Sequence, residues 1–426
     1  MVGLDDIVVT GLGCVSPLGI GRSAFESGLL EQRCAIKQLL QLTDAQRTTV
    51  YGARIEDFVA KQFVTPRKAL KVMSREVQTA YAAAHLAWED AGLSEFTPDP
   101  DRLGVIYGSE MIPGDVQDLV SAARASGDVD PVKFSTWGEI FPREVFPLWM
   151  LKNLPNMPAC HVGIAIDARG PNNTIAQEEV SGLLALSEAT HIIARGAADL
   201  MVVGGMGSRV SDTRLSFRAH QLYDQHPFDA SEPVDAPHCM PFDLRRRGIA
   251  AAEGSAAIVL ERRSHAVRRG AEILAEVCSV SGRCGRPTQR FSGSREAIAS
   301  AARAAMQEAD ISPTQLAHVS AQGYSEQTLD REEAAAIANI APEVPVTAFS
   351  SYFGTAGAAC GLLELIASIL AVRNRKTLPT LGFAVPDPAC PVAVADSEQT
   401  TDKNYILKLS FTPVGQASAA IVKCLN

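Results

Sequence analysis

Nearly uninterrupted runs of small and branched apolar residues restrict the fold of this chain more than any other feature. Such runs occur at Leu103–Gly108 (LGVIYG), Asp199–Gly204 (DLMVVG) and Leu316–Ala321 (LAHVSA), and we also predict a strand over Tyr405–Phe411 (YILKLSF). Strands that are apolar at successive residues are covered on both faces, whereas half-exposed strands alternate between apolar and polar residues. We therefore expect sheets that lie between layers of helices.

Helical patterns alternate with these strands in both halves of the sequence. We predict helices over Thr65–Gly92, Ser181–Gly196, Ser294–Ala309 and Gly361–Ala371. Alternation of strands and helices predicts α/β units with helices on both faces of each sheet. The two halves repeat the same order, which indicates a duplication with one half at residues 1–262 and the other at residues 263–426.

The composition excludes several classes of function. The 39 Lys and Arg residues against 48 Asp and Glu residues give a net charge of −9, which argues against nucleic acid as a partner because phosphate binding needs clustered positive charge. No apolar run approaches the ~20 residues of a membrane helix, and the start of the chain lacks the basic region of a signal peptide. The nine cysteines form no CxxC pair, so we expect reduced thiols in a cytoplasmic protein. The eight histidines show no metal-site spacing, so no metal is expected.

Several segments resemble the β-ketoacyl-ACP synthases, the ketosynthases of the thiolase superfamily. They are Val8–Gly19 (VVTGLGCVSPLG), Leu154–Ala176, Ala198–Gly205 (ADLMVVGG) and Pro241–Glu261, which carries FDxxRxG and EG elements. Matching segments run from Ile7 to Val422. The resemblance implies an α/β, duplicated thiolase fold with five layers (αβαβα), which is normally dimeric across the region that bears the nucleophile.

The resemblance also implies what condensation requires: a thiolate at a helix N-terminus, two imidazoles, a lysine and two backbone N–H groups that form an oxyanion hole. The nucleophile position lies seven residues after the Asn of Gly170–Asn172, and it is Glu179 here. A carboxylate cannot hold a thioester. Two interpretations stay open: a structural carboxylate that caps a helix or blocks the acyl tunnel, and a catalytic Glu179 that acts as a base or nucleophile.

The positions that the resemblance assigns to the two histidines and the lysine are also substituted. The first histidine position is Gln322, within SAQGYSEQTLD. The lysine and second histidine positions are Ser350 and Thr355, within PVTAFSSYFGTAGAACG. None of these three side chains exchanges a proton near neutral pH.

The family's Gly-rich gating loop is altered as well. Phe411 is kept, but Pro413 stands where the family has a second Phe that supplies an oxyanion N–H, and proline has no N–H. Thr412 and Val414 replace glycines, so we expect a stiffer loop. A site that no longer performs condensation is therefore predicted from five positions: Glu179, Gln322, Ser350, Thr355 and Pro413.

Chain-length factors offer a precedent within this resemblance. They are ketosynthase-like subunits that lack the Cys and pair with an active ketosynthase, and the familiar ones carry Gln at the position of Glu179. We interpret the chain as a similar partner in fatty acid or polyketide biosynthesis, either a homodimer or a heterodimer with an active ketosynthase. The first alternative is a decarboxylase, hydrolase or acyltransferase that uses Glu179 on an acyl or malonyl thioester. The second is an ordinary ketosynthase whose catalytic positions lie elsewhere in the sequence.

Three further expectations concern partners and scaffold. Arg67, Lys68 and Lys71 form a basic patch near the family's docking site for acyl carrier protein, with a solvated helix face as the alternative. No cofactor is implied beyond the phosphopantetheine thioester of such a carrier as a substrate. The aromatic stretch Trp137–Trp149 is predicted to form either the dimer interface and tunnel or packed core. We also expect Asp243, Arg246 and Glu253 to form structural ion pairs.

Overall fold

A computed structural model describes residues 6–42, 48–127, 134–211, 213–215, 225–227, 239–287 and 289–425. The strands are β1 (Ile7–Ser16), β2 (Gly19–Ile20), β3 (Lys37–Leu42), β4 (Thr48–Ala53), β5 (Leu103–Ser109), β6 (Asn172–Ala176), β7 (Leu200–Ser208), β8 (Gln225–Pro227), β9 (Ala251–Arg262), β10 (Ala275–Cys284), β11 (Leu316–Ala321), β12 (Val346–Ala348), β13 (Lys376–Thr377), β14 (Gln399–Thr400), β15 (Tyr405–Phe411) and β16 (Gln416–Cys424). The helices are α1 (Arg22–Leu30), α2 (Arg75–Asp90), α3 (Gln117–Ala125), α4 (Phe134–Glu144), α5 (Met157–Ala165), α6 (Ser181–Ala194), α7 (Arg263–Arg268), α8 (Arg295–Glu308), α9 (Gln327–Ile340), α10 (Ser350–Phe353) and α11 (Cys360–Arg373).

The main strands follow one hydrogen-bonded path, in the order β12-β11-β15-β16-β10-β1-β9-β7-β5-β6. β1 and β10 pair only at Val8↔Glu276 and Val9↔Ala275, whereas the strands on either side of this junction pair over much longer stretches. The path therefore consists of one sheet from each half of the chain. The division at residues 262 and 263 stays a prediction.

Three clusters of buried apolar side chains fill the spaces between the layers. One cluster packs α2 and α5 against the first sheet. A second packs α6 and α11 between the two sheets, and a third packs α8 and α9 against the outer face of the second sheet. The order of layers is thus helix, sheet, helix, sheet, helix, as the resemblance predicts. No helix within the described ranges combines the length and the apolar character needed to span a bilayer.

The predicted strands at Leu316–Ala321 and Tyr405–Phe411 have the predicted bounds. The single helix predicted over Thr65–Gly92 is wrong at its start. A 3₁₀ turn covers Arg67–Val72, the chain becomes extended at Met73, and α2 begins after Ser74, whose hydroxyl accepts the N–H of Val77. In a continuous helix the N–H of Val77 would bond to a main-chain carbonyl of the preceding turn. A serine that accepts this N–H instead favours a new helix start.

Glycines at the ends of β5 and β7 let other backbone segments approach closely. A Cβ on Gly108 would lie 2.5 Å from the backbone N of Gly182 at the start of α6, and one on Gly207 would lie 2.3 Å from the carbonyl O of Ala356. Any larger residue at these positions would push the segments apart. These glycines bring residues 178–182 and 355–360 together at one edge of the first sheet.

Candidate functional site

Glu179 lies on a 3₁₀ turn, Glu178–Val180, between β6 and α6. The preceding residue Glu178 has φ +53°, a left-handed conformation that non-glycine residues rarely adopt. The Glu179 side chain points inward and is only 4% exposed. Its Oε1 accepts a hydrogen bond from Arg209 at 2.8 Å, and its Oε2 has no protein partner within the described residues. The carboxylate is therefore placed in the interior by an ion pair with Arg209.

Arg209, directly after β7, joins three carboxylates. Its Nη1 donates to Glu110 at 2.6 Å, and its Nη2 donates to Glu178 and Glu179 at 2.8 Å each. Arg214 lies 3.1 Å from the other oxygen of Glu110. Burial raises the pKa of Glu110, and the two arginines oppose this increase. We call these five residues the carboxylate–guanidinium cluster.

The carboxylate–guanidinium cluster is packed tightly against the backbone. The N–H groups of Ser208 and Ala358 donate to Glu110 at 3.2 and 3.3 Å. A Cβ on Gly357 would lie 2.1 Å from Glu110 Oε2 and 2.9 Å from the Arg209 guanidinium carbon. The nucleophile position inferred from the sequence thus lies among ion pairs rather than beside an imidazole.

Gln322 follows β11, and Glu333 of α9 fixes its main chain. The N–H groups of Gln322 and Gly323 donate to the two Glu333 oxygens at 2.7 and 2.8 Å. The Ser410 hydroxyl lies 2.7 Å from Gln322 Oε1 and 2.9 Å from the carbonyl O of Glu179. The structure therefore brings positions 179 and 322 together through one serine.

Ser350 and Thr355 complete the set that the sequence predicts. Ser350 begins α10, and its hydroxyl donates to the carbonyl O of Gly323, beside Gln322. Thr355 bonds through its main chain to Ala250 and Ala252, at 2.8 and 3.0 Å. Within the described residues, the buried Thr355 hydroxyl and Gln322 Nε2 have no hydrogen-bond partner. All three side chains are almost fully buried.

The gating-loop positions are held from both sides. Phe411 is buried, and its ring meets Tyr324 edge-on with centroids 5.1 Å apart. The Pro413 carbonyl accepts the N–H of Gly293 at 3.0 Å, and the Gly415 carbonyl accepts the N–H of Gly285 at 2.9 Å. These contacts agree with a stiff loop, which itself stays a prediction.

Sequence reasoning missed Lys408, a fully buried lysine in the apolar strand β15. Its ammonium forms an ion pair with Glu364 of α11 and donates to the carbonyl groups of Ser320 and Ala321, at 3.3 Å each. Burial raises the pKa of Glu364 to about 7, against the opposing effect of Lys408. The sequence contained one signal for this ion pair, the single lysine within the apolar stretch YILKLSF, because a charge in a buried strand requires a partner.

Two nearby residues are neutral because they are buried. His318 on β11 lies 3.0 Å from the Ser368 hydroxyl, and burial, aided by Lys408, lowers its pKa to about 3. Cys360 begins α11 and accepts the N–H of Ala356 at 3.0 Å. Burial raises the pKa of this thiol well above its usual value, with nearby Glu364 and Glu179 adding to the effect. At neutral pH the thiol is therefore not the thiolate that acyl transfer requires, and an imidazole with so low a pKa is a weak base.

Asp243 and Arg246 each form a structural ion pair, as expected, but not with each other. Asp243 instead holds Arg245, with its two oxygens 2.8 and 2.9 Å from the guanidinium. Arg246 turns into the interior, where it forms an ion pair with Asp387 at 2.8 Å. It contacts Asp243 through the carbonyl O of that residue and not through its carboxylate. A fully buried guanidinium needs several acceptors at once, and this inward position supplies them.

Two other sequence expectations can be placed in the structure. Glu253 forms an ion pair with Arg75 at 2.7 Å. The basic patch of Arg67, Lys68 and Lys71 lies exposed on the 3₁₀ turn before α2 rather than on the helix itself.

Comparison with known proteins identifies the class. The family model for the β-ketoacyl synthase N-terminal domain matches residues 4–266, and the model for its C-terminal domain matches residues 274–384. The chain therefore belongs to the β-ketoacyl synthase family, and the expected α/β duplicated thiolase fold is confirmed.

Individual relatives match over most of their length. The 3-oxoacyl-[acyl-carrier-protein] synthase 2 of Coxiella burnetii is 29% identical over 400 residues, which cover 92% of each chain. A protein of Streptomyces halstedii named as a polyketide β-ketoacyl synthase is 30% identical over 396 residues, covering 90% of this chain and 89% of that protein.

Solved structures share the fold over the whole chain. The ishigamide ketosynthase/chain length factor matches with a TM-score of 0.84 at 23% identity and covers 100% of both chains. A type II polyketide acyl-carrier protein complex with its ketosynthase matches with a TM-score of 0.83 at 25% identity, covering 99% of this chain and 100% of that one. These relatives support a ketosynthase-like role in fatty acid or polyketide synthesis.

Proposed function

We propose that this chain is a non-condensing ketosynthase-like subunit that acts beside an active β-ketoacyl-ACP synthase, as a chain-length factor does. The carboxylate–guanidinium cluster is the observation that carries the proposal. Glu179 stands at the position of the acyl-accepting thiolate, and a carboxylate bound to Arg209 cannot hold a thioester.

The other aligned positions support the same role. Gln322, Ser350 and Thr355 carry no titratable group, and Gln322 and Ser350 already make hydrogen bonds within the protein. Pro413 provides no N–H for an oxyanion hole, and loss of one such donor costs about 3–4 kcal/mol of transition-state stabilisation. Condensation would therefore lack its nucleophile, its acid–base groups and an oxyanion donor at once.

A partner chain is favoured by the surface around β6. This strand is at the end of the sheet path and pairs with β5 alone among the described strands. Exposed strand edges and clustered apolar side chains favour association. Large apolar side chains are exposed on α5, which contacts β6, and in the segments after β5 and before α5: Met111, Val116, Phe146, Leu148, Met150 and Ile164.

The relatives supply the kind of partner. One structural neighbour is named as a ketosynthase/chain length factor, and another is a ketosynthase bound to an acyl-carrier protein. We propose a heterodimer with a Cys-bearing ketosynthase, and a homodimer as the alternative pairing. Docking of a carrier protein at Arg67, Lys68 and Lys71 stays a prediction.

Co-expression with a Cys-bearing ketosynthase tests the pairing directly. We expect a 1:1 complex by size-exclusion chromatography with light scattering, and no elongation of a thioester primer with malonyl units by this chain alone. Ile164→Arg should weaken the complex because it places a charge on the surface beside β6. Val267→Arg is the matched control, since Val267 is also largely exposed (64%, against 79% for Ile164) but lies on α7. Elongation by the chain alone, or failure to pair with any ketosynthase, would overturn the proposal.

One observation favours a second function. The free Oε2 of Glu179 is buried without a protein partner among the described residues, as a catalytic base or nucleophile would be. If Glu179 acts on a malonyl or acyl thioester, Glu179→Gln should abolish release of free acid or carbon dioxide, while Glu178→Gln should retain it. Silence of the wild type and both variants on carrier-bound and CoA-bound substrates would exclude this function.

A further inference from the structure

Tyr324 is a fully buried tyrosine beside the position inferred for the first histidine. It comes two residues after Gln322, at the end of β11, and is only 1% exposed. Its phenol donates a hydrogen bond to the carbonyl O of Phe411, and its ring meets the Phe411 ring at an interplanar angle of 86°. Phe411 is the last residue of β15, where the gating loop begins. Tyr324 is therefore attached to this loop through both its ring and its hydroxyl.

The same tyrosine also lies near the buried groups of the substituted site. Burial raises the pKa of the Tyr324 phenol well above its usual value, and nearby Glu179 and Cys360 add to this effect. Ser410, the residue before Phe411, donates its hydroxyl to the carbonyl O of Glu179 at 2.9 Å. The gating loop, the tyrosine and Glu179 are thus neighbours in the interior of the protein.

Hydrogen bonds fix the main chain on both sides of Tyr324. Glu333 accepts the N–H of Gly323 at 2.8 Å, and Asp330 accepts the N–H of Ser325 at 3.1 Å. Rotation of the tyrosine ring would also leave its buried hydroxyl without the acceptor that it now has. The side chain is therefore fixed at its backbone and at its hydroxyl, and it is unsuited to swing as a gate.

We propose that the Tyr324 ring is a fixed plug between the gating loop and Glu179, which keeps acyl thioesters from reaching the substituted site. Glu179 is 4% exposed and Cys360 is fully buried, as a plug requires. Protein interiors are packed too densely for an acyl chain to pass beside a fixed aromatic ring. The inference goes beyond the proposed function, because pairing with a ketosynthase does not require a closed site.

The Cys360 thiol reports whether the site is closed. Iodoacetamide alkylates the thiols that it can reach, and peptide mass spectrometry measures the reaction of each cysteine separately. In the wild type we expect the exposed Cys34 and Cys284 to react rapidly and Cys360 to react very slowly. In Tyr324→Ala, Cys360 should react at least about tenfold faster than in the wild type, because a direct passage replaces local unfolding as the route of access.

Two further variants separate the ring from its hydroxyl. Tyr324→Phe keeps the ring, so Cys360 should react as slowly as in the wild type. Tyr324→Leu keeps apolar volume and disturbs the packing less than Tyr324→Ala, so it should stay folded and give an intermediate rate.

Tyr107→Ala is the matched control. Tyr107 is also fully buried, but its phenol donates to the carbonyl O of Ala80 on α2, whereas Cys360 lies on α11 at the other face of the first sheet. This variant creates a similar cavity away from the plug, and Cys360 should react in it as slowly as in the wild type. Cys424, fully buried on β16, should stay unreacted in every variant.

Several outcomes would overturn the plug. They are rapid reaction of Cys360 in the wild type, equal rates in Tyr324→Leu and Tyr324→Phe, and an equal acceleration in Tyr107→Ala. Joint acceleration of Cys360 and Cys424 would overturn it too, because access would then follow from unfolding. A wild-type turnover that depends on Glu179 would also contradict a closed site.

The pairing experiment tests the proposed function separately. If Cys360 reacts rapidly in the wild type while the chain pairs with a ketosynthase, only the plug is wrong. If the chain fails to pair but Cys360 is protected by Tyr324, the subunit role is wrong and the plug stands.

Discussion

Two sets of buried carboxylates in this molecule have different partners. Glu333 and Asp330 on α9 bind main-chain N–H groups at both of their oxygens: Glu333 those of Gln322 and Gly323, and Asp330 those of Phe242 and Ser325. The carboxylates of the carboxylate–guanidinium cluster bind mainly Arg209 and Arg214. The first set holds the backbone, and the second holds other side chains.

This difference determines how far each set depends on particular side chains. Main-chain hydrogen bonds to Glu333 do not depend on which side chain stands at position 322, so the shape of the turn does not require Gln322 itself. The cluster around Arg209 depends entirely on which residues are present, because each ion pair needs both members. We expect mutations in the two sets to differ in the free energy of unfolding that they cost and in whether a second substitution restores it.

The largest loss of stability is expected from Arg209→Met. This change leaves Glu179 buried without its guanidinium and Glu110 with Arg214 alone, and removing one partner of a buried ion pair costs about 3–5 kcal/mol. Urea unfolding measures it. Arg169→Met is the control, because its ion pair with Asp167 is fully solvent-exposed and should leave the unfolding midpoint unchanged. A similar midpoint for both variants would show that the cluster is not held by charge.

A somewhat smaller loss, about 3 kcal/mol, is expected from Lys408→Met, which strands Glu364 in the interior. Adding Glu364→Leu should recover most of it, since a buried pair replaced as a whole by apolar residues is often neutral. A double-mutant cycle from urea unfolding gives the coupling energy. Simple additivity of the two single losses would contradict the pairing of Lys408 with Glu364.

The backbone-binding set is probed by Glu333→Gln. The amide keeps one acceptor oxygen and turns a donor toward an N–H group, so the free energy of unfolding should fall by about 1–3 kcal/mol. Glu332→Gln is the neighbouring control, and it affects the partly exposed pair with Arg295 and one longer hydrogen bond, at 3.3 Å, from the Arg295 main-chain N–H. If the control costs as much as Glu333→Gln, the main-chain hydrogen bonds are not what distinguishes this set.

The smallest effect is a difference in pH dependence. The lowered pKa of His318, about 3 in the native state, means that only the unfolded chain takes up a proton as the pH falls below about 6.5. Acidification therefore destabilises the native state through this residue. His318→Gln should reduce the loss of unfolding free energy between pH 6 and pH 5 by about 1 kcal/mol. An unchanged slope would show that His318 is charged in the native protein.

The sequence predicted the parts of this structure that depend on local patterns. The strand at Tyr405–Phe411 followed from its apolar residues, and the proximity of Glu179, Gln322 and Ser350 followed from the family resemblance. The break between the turn at Arg67 and α2 was missed, because the helical pattern continues through it and only the cap at Ser74 marks the new start.

Side-chain partners across strands could not be predicted in the same way. Arg209 and Glu110 meet because β7 and β5 are neighbours in the sheet, and Lys408 meets Glu364 because α11 packs on β15. Each charge was visible in the sequence, but its partner is set by tertiary packing between distant segments. The partners of Asp243 and Arg246 could not be predicted for the same reason, because the turn directs Arg246 inward, away from the Asp243 carboxylate.

Lys408 also limits which residues position 350 can accept. Its ammonium binds the carbonyl of Ala321, two residues before the Gly323 carbonyl that Ser350 binds. A lysine at position 350 would bring a second ammonium toward the same turn, and the two cations would repel each other in a medium of low dielectric. We therefore expect Ser350→Lys to be tolerated better together with Lys408→Met than alone.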